Sequence, residues 1–103
     1  MKILIVEDED LAVKKLQKTL AAVDESATVV GVTDSIQSTV EWIQSHPAPE
    51  LILMDIELAD GQSFEIFRRV EVSSPVIFTT SYDEHALKAF KVNRNFYINV
   101  KKV

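Results

Sequence analysis

The sequence contains no cysteine, which excludes a disulfide framework and any zinc site built on thiolates. No apolar run approaches the roughly 20 residues that a membrane-spanning helix requires. The opening stretch Met1–Val6 is apolar, but Glu7-Asp8-Glu9-Asp10 follows it at once. A secretory leader would instead continue into a longer apolar stretch and a small-residue cleavage site. A cytoplasmic domain without membrane contact is the expectation. Bases are also in deficit, 11 against 16 acids, for a formal charge of −5. A surface of that sign repels nucleic-acid phosphates, so direct nucleic-acid binding by this segment is not expected. Internal repeats, low-complexity tracts and linkers are absent as well. The 103 residues make one domain, 1–103, and an apolar fraction of 47% supplies one core rather than two.

What is present is an alternation of short β-rich runs with amphipathic stretches. Lys2–Val6 is continuous in Ile, Leu and Val, the pattern of a strand buried on both faces of a parallel sheet. A helix over roughly Leu11–Val23 follows, with Val13, Leu16, Leu20 and Val23 as its inward stripe. Thr28–Thr33 reads as strand two. Ser35 is placed to cap a second helix in which Ile36, Val40 and Ile43 share a face, and Pro47 and Pro49 end it. Leu51–Met54 is strand three and runs straight into Asp55. The segment Leu58-Ala59-Asp60-Gly61 reads as a turn, and Phe64, Phe67 and Val70 mark a third helix. Pro75–Thr80 is strand four, Asp83 or Glu84 opens a fourth helix to about Phe90, and Phe96–Val100 is strand five. Strands alternating with helices predict an α/β sheet with right-handed crossovers, with no fifth helix after the last strand.

In such a sheet, ligands gather at the carboxyl ends of the strands, near the point where strand order reverses. Glu7 and Asp8 end strand one, Asp55 ends strand three and Thr80 ends strand four. If strands one and three are neighbours, three carboxylates converge. Like charges held that close call for a compensating charge, and a hard, oxygen-preferring Mg²⁺ suits one or two carboxylates with waters and phosphate oxygens. A carboxylate can attack phosphorus without a general base, and Thr80 can donate a hydrogen bond to a phosphoryl oxygen. Each residue also has a plain reading. Acids ahead of a helix often serve only as caps or dipole partners, and threonine is common in strands. An Asp directly after Leu-Ile-Leu-Met is harder to read as surface decoration. The three placements together, at strand ends in this order, carry the signal.

The runs Ile3-Leu4-Ile5-Val6-Glu7-Asp8-Glu9, Leu53-Met54-Asp55-Ile56-Glu57-Leu58 with Asp60-Gly61, and Val76-Ile77-Phe78-Thr79-Thr80-Ser81 resemble the receiver domain of two-component response regulators. The resemblance covers residue 1 to about residue 93. Phe78-Thr79-Thr80-Ser81-Tyr82-Asp83-Glu84-His85-Ala86-Leu87-Lys88-Ala89-Phe90 looks like the branch whose output is a LytTR-type DNA-binding domain. The resemblance implies a flavodoxin-like, CheY-like doubly wound parallel sheet of five strands in the order 2-1-3-4-5. It implies Asp55 as phospho-acceptor, Asp8 as direct Mg²⁺ ligand, Glu7 as a ligand through water and Glu57 as a backbone-carbonyl ligand. The resemblance further implies Thr80, which the small Ser81 follows, as the switch hydroxyl and Tyr97 as the aromatic that would swing inward with it. A sensor histidine kinase is the implied donor, and a DNA-binding output domain would lie outside this chain.

The end of strand five departs from the family pattern of an aromatic, two apolar residues and Lys-Pro. Here the run is Tyr97-Ile98-Asn99-Val100-Lys101-Lys102-Val103, with Val100 where the lysine is expected. A one-residue slip turns a side chain to the other face of a sheet, and a bulge would bring Lys101 into place. Two explanations compete: a degenerate receiver acting as a phosphorylation-independent interaction module, or an altered or truncated end whose last ten or so residues do not follow the family, and the intact Glu7, Asp8, Asp55 and Thr80 favour the second. A sheet face left uncovered by a missing last helix predicts a dimer or a less stable monomer, which light scattering would check.

Two other classes fit less well. A phosphatase of the haloacid dehalogenase type places Asp-x-Asp after the first strand of a longer chain, whereas here Asp55-Ile56-Glu57 follows strand three. A flavin carrier on this fold needs a Ser/Thr/Gly loop after strand one, where Glu7–Asp10 would repel the phosphate. Trp42 reads as partly buried packing, and His46 and His85 as solvated helix-end residues without metal-ligand company. Lys14, Lys15 and Lys18 read as a wet helix face, with kinase docking as the lesser reading.

Overall fold

The computed structural model describes residues 1–80 and 99–101, with side chains through Thr79. Five strands form one sheet, all neighbours parallel: β1 (Lys2–Val6), β2 (Thr28–Thr33), β3 (Leu51–Met54), β6 (Val76–Thr80) and β7 (Asn99–Lys101). Their spatial order is β2-β1-β3-β6-β7. This is the expected 2-1-3-4-5 order, with a small antiparallel hairpin, β4 (Glu57–Leu58) and β5 (Gly61–Gln62), inserted after β3. The helices are α1 (Asp10–Val23), α2 (Ile36–Ser45) and α3 (Ile66–Arg69).

The continuous apolar strands do lie between two layers. Alternate residues point to opposite faces. Leu4, Val6, Ile52, Met54, Val76 and Phe78 build the larger core against Ile36, Val40 and Ile66 of α2 and α3. Phe64 and Phe67 meet Phe78 edge-on, with ring centroids 5.6 and 6.3 Å away. The opposite face is thinner. There Ile3, Ile5 and Leu53 are buried beneath the half-buried Val13, Leu16 and Leu20 of α1.

Two elements differ from expectation, and a third gains detail. Val23 belongs to the periodic stripe of α1 yet is 79% exposed. The chain leaves the helix at Asp24 in extended conformation, and Ala27 packs on the core in its place. The third helix starts as a 3₁₀ turn over Ser63–Glu65 and has only four α-helical residues, with Val70 already extended. The segment read as a turn at 58–61 is the tip of the β4–β5 hairpin, with Gly61 at φ 138° where a side chain would be strained. The last strand is described over Asn99–Lys101. The fourth helix expected at 83–90, His85 and Tyr97 lie outside the described residues.

Candidate functional site

The sheet's carboxyl edge is built by backbone continuity past the ends of β1 and β3. Val6 pairs with Met54, and the Asp55 N–H still donates to the Val6 carbonyl at 2.9 Å. On the other side of β1, the Glu7 N–H donates to the Thr33 carbonyl, also at 2.9 Å. Glu7 and Asp55 are therefore held level on adjacent strands, and both are buried, whereas the neighbouring Asp8 is exposed. One carboxylate oxygen from each of Glu7, Asp8 and Asp55 falls within a 4.8 Å span. The convergence read from the sequence is therefore present in the fold.

Three carboxyl groups this close, two of them inside the protein, make a donor set of hard oxygens suited to a divalent cation. The cap reading of the acidic run finds little support. Glu9 is the N-cap of α1 but its side chain makes no capping hydrogen bond. Its backbone N–H instead donates to Glu7 Oε2 at 3.3 Å, which orients that carboxylate. A groove of about 360 Å³ lies on the α1 and β2 side of Glu7 and Asp8, walled also by Asp10, Lys14, Asp34 and Ser38 but not by Asp55.

The hairpin after Asp55 is fastened from two sides. The Ser63 N–H donates to the Ile56 carbonyl at 2.7 Å. At the tip, Asp60 reaches across to α2, where Oδ1 accepts from the Ile36 N–H at 2.7 Å and Oδ2 from the Gln37 N–H at 3.2 Å. Burial pushes the Asp60 carboxyl up, but these N–H groups and the Arg69 charge outweigh it and hold the pKa below its ordinary value. Glu57 opens the hairpin two residues after Asp55.

On the far side of Asp55, β6 brings Thr79 and Thr80 to the same edge, since Met54 pairs with Phe78. β7 continues the row, with Val100 level with Thr79 and Lys101 level with Thr80. For Thr80 and Lys101 the structure describes the backbone alone. Two features escaped the sequence reading. One is the capture of α2 by Asp60, a contact across 24 residues that no local pattern announces. The other is Thr79, 5% exposed with an Oγ1 that meets no hydrogen-bond partner among the described residues. Trp42 is partly buried as expected, while the exposed His46 stacks on it with ring centroids 4.2 Å apart. No described helix is long and apolar enough to cross a membrane.

Comparison with known proteins agrees with this geometry. The family profile described as response regulator receiver domain matches residues 3–102. The chain is 35% identical over 101 residues to the sensory transduction protein LytT of Enterococcus faecalis. It is 32% identical over 101 residues to LytT of Bacillus anthracis. These matches cover 95% of this chain but 41% and 40% of those proteins, so it spans about two fifths of their length. Among solved structures, the response regulatory domain of protein MrkE from Klebsiella pneumoniae superposes with a TM-score of 0.80 at 25% identity, covering 99% of this chain and 83% of that one. With its parallel sheet, its acidic strand-end cluster and this profile match, the chain belongs to the response regulator receiver domain family of two-component signalling.

Proposed function

We propose that this receiver takes a phosphoryl group on Asp55 from a sensor histidine kinase and passes the change to an output domain outside this chain. The observation that carries the reading is the cluster of Glu7, Asp8 and Asp55, with one oxygen of each inside a 4.8 Å span. In the transfer, an Asp55 carboxylate oxygen attacks phosphorus and forms an acyl phosphate. The bond from phosphorus to the donor, a histidine nitrogen or an acetate oxygen, breaks, and its electron pair leaves with the donor.

The donor set fits Mg²⁺, with Asp8 and Asp55 as direct ligands, Glu7 through water and Glu57 through its carbonyl oxygen. Bound there, the cation offsets the negative charge that gathers between carboxylate and phosphoryl oxygens. Thr80 donates to a phosphoryl oxygen, and Lys101 supplies the fixed cation. Over Asn99–Lys101 the last strand pairs one to one with β6, without a bulge, and sets Lys101 level with Thr80 at the sheet's carboxyl edge. The similarity to LytT-type proteins favours a transcriptional output.

Incubation with acetyl phosphate, followed by intact mass measurement, tests this reading. One phosphoryl adduct is expected with Mg²⁺, and none with chelator or in the Asp8→Asn variant. An adduct indifferent to both would remove the metal cluster from the account.

A further inference from the structure

Thr79 has no role in the chemistry above, yet its position is unusual. Leu53 pairs with Ile77 across β3 and β6, and both belong to the face covered by α1. Carried one residue past the last pair, Met54 with Phe78, this register sets Asp55 level with Thr79. Both side chains are buried, at 6% and 5% exposure, so Thr79 is screened from solvent beside the acceptor. Its Oγ1 meets no hydrogen-bond partner among the described residues. A hydroxyl buried without a partner is rare in folded proteins and calls for an explanation, of which a ligand-binding role is one. A valine here would fill the same space without an unpaired dipole.

We propose that Thr79 is a second phosphoryl contact, distinct from Thr80, whose hydroxyl gains its hydrogen bond when Asp55 is phosphorylated. The idea rests on Asp55 being the acceptor. The hydroxyl has no partner among the described residues and becomes a donor once phosphoryl oxygens, which only accept, arrive beside it. A hydrogen bond to an anionic acceptor is stronger than one between neutral groups, and it is made only in the phosphorylated state and on the way to it. Thr79 thereby favours the product without helping the unmodified protein to fold.

The test compares parent, Thr79→Val and Thr79→Ser for the rate of phosphorylation by acetyl phosphate with Mg²⁺, alongside the melting temperature of the unmodified proteins. Thr79→Val is expected to react about tenfold more slowly or worse, while melting at or above the parent temperature because it loses an unpaired hydroxyl. Thr79→Ser is expected to recover most of the rate. A valine variant that reacts at the parent rate would overturn the proposal and leave Asp55 as acceptor untouched. A valine variant that is slow and also melts lower, with serine failing to restore the rate, would assign Thr79 a packing role instead. If the parent itself acquires no phosphoryl group, the acceptor reading fails and this one with it.

Discussion

Asp60 ties the hairpin after the phospho-acceptor to the first turn of α2 by taking two of that helix's N–H groups. Those N–H groups have no partner within the helix, and a carboxylate at a helix N-terminus also meets the favourable end of its dipole. Because its pKa is lower in the folded chain than the ordinary 3.8, the stabilisation is complete above that value and fades as the pH falls through the lower, folded one. Asp60→Ala should therefore cost about 0.5 kcal/mol at neutral pH, the low end of the capping range because the carboxylate is solvent-exposed. The parent and the variant should converge in stability once the pH has fallen well into the acid range, below the folded pKa. Urea denaturation followed by circular dichroism at both pH values checks this, and a difference that persists in acid would contradict it. The sequence could announce Ser35 as a cap, because its partner Ser38 lies three residues on. It could not announce Asp60, which serves the same helix from another element.

Strand β2 shows how an element can obey its pattern and still surprise. Ile3 pairs with Val29 but Leu4 pairs with Gly31, so one extra residue on β2 exchanges the faces beyond it. Gly31 then lies against Trp42, and the Thr33 and Thr39 hydroxyls meet at 2.7 Å beneath α2. Val32, turned the other way, is 46% exposed. A bulge in a parallel pair leaves no composition signal, so strand identity was legible while facing was not. A Cβ at position 31 would come within 2.6 Å of Trp42 Nε1, so the ring would have to move away from its stack on His46. Gly31→Ala should destabilise by about 1 kcal/mol and shift the emission of the single tryptophan. Unchanged stability and emission would show that the ring yields freely. The third helix was misjudged in length for a related reason. Phe64, Phe67 and Ile66 are fixed by the sheet beneath them, and a 3₁₀ turn delivers Phe64 as well as an α-helical turn would.

At the scale of the whole molecule, topology makes the site. No pair among Glu7, Asp55 and Thr80 is close in sequence, and each gains meaning only because β1, β3 and β6 lie side by side and parallel. Runs buried on both faces identify such strands, and the rule that ligands collect at their carboxyl ends identifies the edge, so the acidic cluster was readable beforehand. Thr79 was not, because a buried threonine in a strand is ordinary until its hydroxyl is found without a partner. The central claim is that the chain converges on Asp55 as the one acceptor. After treatment with acetyl phosphate and Mg²⁺, borohydride reduces an aspartyl phosphate to homoserine with release of phosphate, which marks the acceptor permanently. Peptide mapping by mass spectrometry should then find homoserine at position 55 and at no other aspartate. Homoserine at Asp8 or elsewhere, or an adduct that survives in Asp55→Ala, would contradict the account.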